Sequence, residues 1–139
     1  MVSLRAAIVG CGWAGSNMHA PSLIELEDVV LVAVYNRTRN KALALAKKYG
    51  VKPYSDFDQM LQKEDLGIVD VVTSEDAHFE FAVKSLEAGA HVLCEKPLST
   101  TLEDIDAMIA AWKKSDVKFM ISFENRSNRP FRNAKRIVD

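Results

Sequence analysis

The sequence predicts an α/β fold, a doubly wound parallel sheet with helices on both faces joined by right-handed crossovers. Three observations carry this expectation. Short apolar runs alternate with helix-period segments along the whole chain. The first run, Ala6-Ala7-Ile8-Val9, stops at Gly10, and Gly10, Gly12 and Gly15 then fall at G-x-G-x-x-G spacing. A second apolar run ends at Asn36, about twenty residues beyond the last glycine, which completes a strand, glycine loop, helix and strand in one unit.

Each element has its own signal. Ser16 to Glu27 reads as a helix that Pro21 must bend or interrupt. Val29 to Tyr35 is the second buried strand. Arg39 to Tyr49 is helical, with Ala42, Leu43, Leu45 and Ala46 on one face and Gly50 as a stop. Val51 to Tyr54 is a short strand in which Pro53 is tolerated only at a sheet edge. Ser55 or Asp56 caps a helix through Leu61, and Ile68 to Val72 is the fourth strand. Phe79, Ala82, Val83 and Leu86 form one helix face before Gly89, and Ala90 to Cys94 is the fifth strand. Thr100 and Glu103 have capping-box spacing ahead of a Leu102, Ile105, Met108, Ile109 and Trp112 stripe. Val117 to Ser122 is the sixth strand, and Pro130 to Val138 is a final amphipathic helix.

Bulk properties narrow the function. The 139 residues suit one domain, and 18 basic against 19 acidic side chains leave a net charge of −1. That argues against a broad electrostatic footprint for nucleic acid and leaves room only for a local basic patch. No apolar run is long enough to cross a bilayer, and the N-terminus lacks the pattern of a signal peptide, so a cytoplasmic protein is expected. Cys11 and Cys94 have no metal-ligand spacing and read as small hydrophobes in a reducing compartment. No metal site is expected.

The glycine loop is the first place where chemistry enters. Gly10 allows a sharp turn out of the strand, Gly12 leaves room for a pyrophosphate against the backbone, and Gly15 lets the next helix pack close. Unpaired N–H groups at that helix start then face the phosphates. Gly10 to Gly15, Trp13 and Ala14 included, are therefore expected to hold a dinucleotide. The end of the second strand chooses which one. Asn36 stands where an NAD site usually carries Asp or Glu, and Arg37, Thr38 and Arg39 follow. A carboxylate would repel a 2′-phosphate by about 4 kcal/mol at 4 Å and an effective dielectric near 20. Asn36 lacks that charge, Arg37 can fork onto the phosphate and Thr38 can donate to it. NADP(H) is thus expected over NAD(H). The alternative is a solvated arginine pair with Asn36 still bonding the ribose.

Ligands of such sheets lie beyond the carboxyl ends of the strands. That points also to Thr73 to His78, Glu95 to Pro97 and Phe123 to Arg126. Pro97 fixes its own φ and restricts Lys96, which can be held rigidly over the cleft, with Glu95 orienting it or bonding the cofactor. An exposed strand-end Glu-Lys pair is the plainer reading of the same residues.

Together the glycine loop, Thr73-Ser74-Glu75-Asp76-Ala77-His78 and Ala88 to Leu98, with Glu95-Lys96-Pro97 at its centre, resemble the N-terminal half of the Gfo/Idh/MocA oxidoreductases. The resemblance runs over nearly the whole chain. It implies that Gly10 to Gly15 bind the pyrophosphate and Asn36 to Arg39 the adenosine end. It also implies that Thr73 and His78 line the cofactor cleft and that Lys96 is the catalytic residue beside nicotinamide and substrate. Asn125 and Arg126 match the family's Asn-Arg step at the exit from the nucleotide domain, and Asn125 is expected near the cofactor. Residues 1–123 are then a Rossmann domain, and 124–139 begin the crossover into a second, substrate domain that this sequence does not contain.

The implied chemistry is reversible hydride transfer between nicotinamide and a carbinol carbon of a sugar, cyclitol or related polyol. By the resemblance, the second domain supplies most of the substrate pocket, a catalytic histidine region and often the subunit interface. A homo-oligomer therefore stays open, and little turnover is expected from these residues alone. A non-catalytic dinucleotide sensor or partner module is the competing reading, and a fragment that binds nothing is a third.

Overall fold

The computed structural model describes residues 3–139. Its strands are β1 (Leu4–Val9), β2 (Val29–Tyr35), β3 (Lys52–Tyr54), β4 (Ile68–Val71), β5 (His91–Cys94) and β6 (Phe119–Ile121). They form one parallel sheet in the order β3-β2-β1-β4-β5-β6. The sheet reverses direction of growth between β1 and β4, which makes a crevice at their carboxyl ends. The expected doubly wound architecture is the observed one. Pro53 lies in β3, the outermost strand, where its missing N–H leaves no gap in the ladder.

Helices cover both faces. On one side lie a π-helical turn (Gly15–His19), α1 (Ala20–Ile24) and α2 (Arg39–Tyr49). There Ala20, Leu23, Ala42, Leu45 and Ala46 pack on Ala6, Ile8, Leu31 and Val34. On the other side lie α3 (Phe57–Lys63), α4 (His78–Glu87, entered by the 3-10 turn Glu75–Ala77) and α5 (Leu102–Lys114). Phe57, Met60, Phe81, Ala82, Leu86 and Met108 pack there against Val9, Tyr35, Val69, Val71 and Val92. Two short helices, α6 (Glu124–Ser127) and α7 (Arg129–Val138), close the chain.

Four local expectations are corrected. The first helix ends at Ile24 rather than Glu27, and its first turn is wide, with the Ala20 N–H bonded to the Gly15 carbonyl. Pro21 explains the widening, because a proline ring collides with the carbonyl four residues back in a regular α-turn and has no N–H to donate. On α4 the buried face is His78, Phe81, Ala82, Ser85 and Leu86, turned from the expected stripe. Phe81 draws the face round: its ring centroid lies 5.3 Å from Tyr35 and 4.9 Å from Phe57. The cap of α5 is Thr101, whose hydroxyl accepts the Asp104 N–H at 3.2 Å, not Thr100. Of the stripe on α5 only Met108 is fully buried; Leu102 and Trp112 are exposed.

Candidate functional site: a glycine-loop cleft with two lobes

The loop after β1 shows why three glycines stand there. Gly10 has φ +115°, and a β-carbon on it would collide with the Val72 carbonyl. A β-carbon on Gly15 would collide with the Gly10 carbonyl, so any side chain would push the helix off the strand. Gly12 differs: nothing lies within 4 Å of where its β-carbon would be. Its backbone is bare and faces open space. Asn36 stabilises this loop. Its Oδ1 accepts the Cys11 N–H at 2.9 Å and its Nδ2 donates to the Thr38 carbonyl at 3.2 Å.

Two cavities meet at this loop. One, of about 340 Å³, is walled by Gly10, Gly12, Asn36, Arg37, Thr38 and Thr73. Lys41, from the first turn of α2, also reaches it, a cation that the sequence reading passed over. The other, of about 620 Å³, is walled by Trp13, Ala14, His19, Asp70, Glu95 and Lys96, with Ser122 and Glu124 across it. Trp13 is 74% exposed at the loop tip.

Most of the expected residues therefore converge on one crevice, and three do not. Arg39 faces away, into a groove with Tyr54 and Asp56, because one residue of helix turns it off the cleft side of α2. His78 is buried beneath the cleft instead of lining it. Its Nδ1 lies 2.9 Å from the Pro97 carbonyl and its Nε2 3.1 Å from the Thr73 carbonyl, so its ring ties the two loops from below. Asn125 is exposed on α6 and takes no part in either wall, while Arg126 lies over the Phe123 ring at 5.5 Å. The Lys96–Pro97 peptide is cis.

The cysteines fit their expected role as buried apolar side chains. Burial pushes the Cys11 thiol up to about 11 and Cys94 up to about 12, so neither is a thiolate near neutrality. Among the described residues no group of three or more His, Cys, Asp and Glu side chains is arranged to hold a metal ion, and no helix is long and apolar enough to cross a membrane.

The largest surprise is His19, which lies inside the helical stretch expected from Ser16 to Glu27. Its Nδ1 lies 2.8 Å from Asp70 Oδ2 and its Nε2 3.1 Å from Glu95 Oε1. Its side chain is 10% exposed. The wide first turn adds a residue between Gly15 and α1, which brings His19 round to the sheet. Burial pulls the imidazole down, but the two carboxylates more than offset it and hold the proton on the ring. Asp70 is pushed up by burial, against the pull of His19. Glu95 ends below its ordinary value despite burial, held there by Ser122, the Lys96 N–H and His19. The sequence did carry one signal: an aspartate inside the apolar run Ile68-Val69-Asp70-Val71-Val72 must find a partner once buried.

Known proteins place this geometry in a family. The sequence profile described as "Oxidoreductase family, NAD-binding Rossmann fold" (GFO_IDH_MocA) matches residues 4–123. Myo-inositol 2-dehydrogenase of Thermotoga maritima is 33% identical over 137 residues, which are 98% of this chain and 41% of that protein. The crystal structure of myo-inositol 2-dehydrogenase from Lactobacillus plantarum superposes with a TM-score of 0.92 at 31% identity, over 99% of this chain and 41% of that one. The WlbA dehydrogenase of Bordetella pertussis, solved with NADH and UDP-GlcNAcA, superposes at 0.92 with 26% identity, over 98% of this chain and 42% of that one. The chain thus spans about two fifths of the length of the proteins it matches. With its NAD-binding Rossmann fold, its glycine cradle and its Glu-Lys-Pro strand end, it belongs to the Gfo/Idh/MocA oxidoreductase family.

Proposed function

We propose that this chain is the cofactor-holding part of an NADP(H)-dependent oxidoreductase that acts on a carbinol carbon of a sugar, cyclitol or related polyol. The observation that carries the reading is the bare Gly12 backbone between a cationic lobe and a lobe containing Lys96. The inositol and sugar-nucleotide dehydrogenases among the relatives support the substrate class.

The Gly10 to Gly15 loop would hold the diphosphate, with the adenosine end in the lobe of Asn36, Arg37, Thr38 and Thr73. Asn36 favours a 2′-phosphate there. As a neutral amide it brings no charge to repel the phosphate, and with its Oδ1 held by the Cys11 N–H and one Nδ2 hydrogen given to the Thr38 carbonyl, one N–H is left to donate to a phosphate oxygen. Arg37 and Lys41 stand on the same wall and would supply the charge. The nicotinamide would lie in the other lobe, where it accepts or gives up a hydride. Lys96 reaches that lobe and would hold the substrate hydroxyl and move its proton. Trp13 and Ala14 would keep water from one side of it. Positioning of substrate supplies much of such catalysis. The lobe that Lys96 reaches is open to solvent, so the chain alone should bind cofactor and turn over little.

Calorimetric titration with NADPH and NADH tests the reading. Tighter binding of NADPH is expected, and Arg37→Ala should weaken NADPH by roughly tenfold while leaving NADH nearly unchanged. Equal affinities, or tighter NADH, would reject the preference. Robust oxidation of a sugar or polyol by the chain alone would overturn the division of labour.

A further inference from the structure

We propose that His19, Asp70 and Glu95 form a positioning triad that locks the Lys96 loop in its binding-competent place, so that the loop follows the protonation of this cluster. The proposal rests on the functional reading above only for its consequence in cofactor affinity. Its geometric basis is a chain of contacts across three elements. Asp70 projects from the middle of β4, His19 from the turn before α1, and Glu95 from the end of β5. Glu95 then accepts the Lys96 backbone N–H on its other oxygen, at 3.0 Å. One side chain thus connects the helix that follows the glycine loop to the residue that enters the nicotinamide lobe.

The proton count explains how such a lock works. A neutral imidazole has one N–H, yet both ring nitrogens face carboxylate oxygens. Both contacts are satisfied only when the cluster holds one further proton, on the second ring nitrogen or on the carboxylate oxygen that faces it. Asp70 Oδ1 is buried with no hydrogen-bond partner, so this carboxyl has no other source of relief. Removing the shared proton leaves two carboxylates competing for one N–H. Glu95 is the more exposed of the two, 17% against 1% for Asp70, and is the one with room to shift against its Ser122 contact, taking its grip on Lys96 with it.

The surroundings make this cluster the dominant one. Between Ser16 and Ile24 the helix segment carries no other titratable side chain. β4 contributes Asp70, the end of β5 contributes Glu95 and Lys96, and the start of α6 contributes Glu124 across the cavity. Cys94 beneath stays a neutral thiol. The direction of the His19 shift, upward, means that the extra proton is kept past the ordinary imidazole range and lost above it.

The test uses the unmodified chain first. Nitrogen-15 NMR should show the His19 ring titrating above about 6.5, with the Lys96 amide resonance shifting at the same midpoint. NADPH affinity should weaken by roughly tenfold as pH passes that midpoint, the loss of one charge-assisted hydrogen bond. His19→Gln should bind NADPH with an affinity flat across the same range. A Lys96 amide that stays still while His19 titrates would overturn the triad, as would a His19 ring that titrates at or below its ordinary value. NADPH affinity unchanged across the midpoint in the unmodified chain would overturn it too. If neither dinucleotide binds at any pH, the functional reading fails, and the Lys96 amide alone decides the triad. If His19→Gln does not fold, the unmodified chain carries the whole test.

Discussion

Gly10 and Gly12 lie two residues apart and should answer the same added methyl group in opposite ways. Gly10→Ala puts a β-carbon against the Val72 carbonyl on a backbone at φ +115°, a conformation that costs a non-glycine residue about 1–3 kcal/mol before the collision is counted. Thermal unfolding should therefore show a clear loss of stability. Gly12→Ala meets open space, so stability should hardly change, while dinucleotide affinity drops because the methyl stands where the phosphates approach. A Gly12 variant that binds as tightly as the parent would place the diphosphate elsewhere. The spacing of these glycines was legible in the sequence because the physics behind it is local. His19 was not. Its role depends on Asp70 and Glu95, 51 and 76 residues away, and on a widened turn that helical periodicity does not foresee. Lys41 escaped for a smaller reason: it faces the cleft only because α2 begins at Arg39 and turns the next residues by a fixed angle.

Elements are pinned at their far ends as well as at the cleft. Glu64, just after α3, is fully buried and held by three groups: Lys52 Nζ at 2.8 Å, the Tyr54 hydroxyl at 2.6 Å and Arg5 Nη2 at 2.9 Å. This cluster joins α3 to β3 and to β1. Burial works against the Glu64 charge, but Lys52, Tyr54 and Arg5 together hold its pKa below the ordinary value. Its effect is to push the Tyr54 hydroxyl up to about 12. A lowered carboxylate contributes stability that is present above its unfolded value, near 4.5, and is lost as pH falls through its folded value. Glu64→Gln should therefore cost about 2 kcal/mol near neutrality and flatten this part of the acid limb, read by urea unfolding at several pH values. Element positions, the Asp56 cap and the Gly50 stop were legible from apolar period and turn residues, whereas the α5 cap and the α4 face slipped by one residue. Thr100-Thr101-Leu102-Glu103-Asp104 offers two capping registers, and the contact between Ser99 and Asp104 favours the second. Thr101→Ala should cost about 1 kcal/mol, and Thr100→Ala close to nothing.

At the scale of the whole molecule, one row of side chains crosses the sheet on the α1 face: Val34, Ile8, Asp70, Leu93 and Met120, neighbours in register. Val34 and Ile8 are fully buried under α1 and α2, and Met120 is 60% exposed. Asp70 stands where the helical cover ends, which is why an acid is tolerated there and why the larger lobe opens beside it. A dinucleotide laid along the crevice would touch loops from β1, β2, β4 and β5, and so would tie together strands whose helices sit on opposite faces. A ligand that binds only the folded chain stabilises it by mass action, by about 2.7 kcal/mol at a hundredfold excess over Kd. For a domain near this size each kcal/mol shifts Tm by about 3 °C, so saturating NADPH should raise Tm by roughly 8 °C. NADH at the same concentration should raise it less, by the margin of the Arg37 and Lys41 contacts. The Gly12→Ala variant serves as control, since it keeps the parent stability and should lose most of the shift. A parent chain whose Tm ignores both cofactors would show that the cradle is formed but not used.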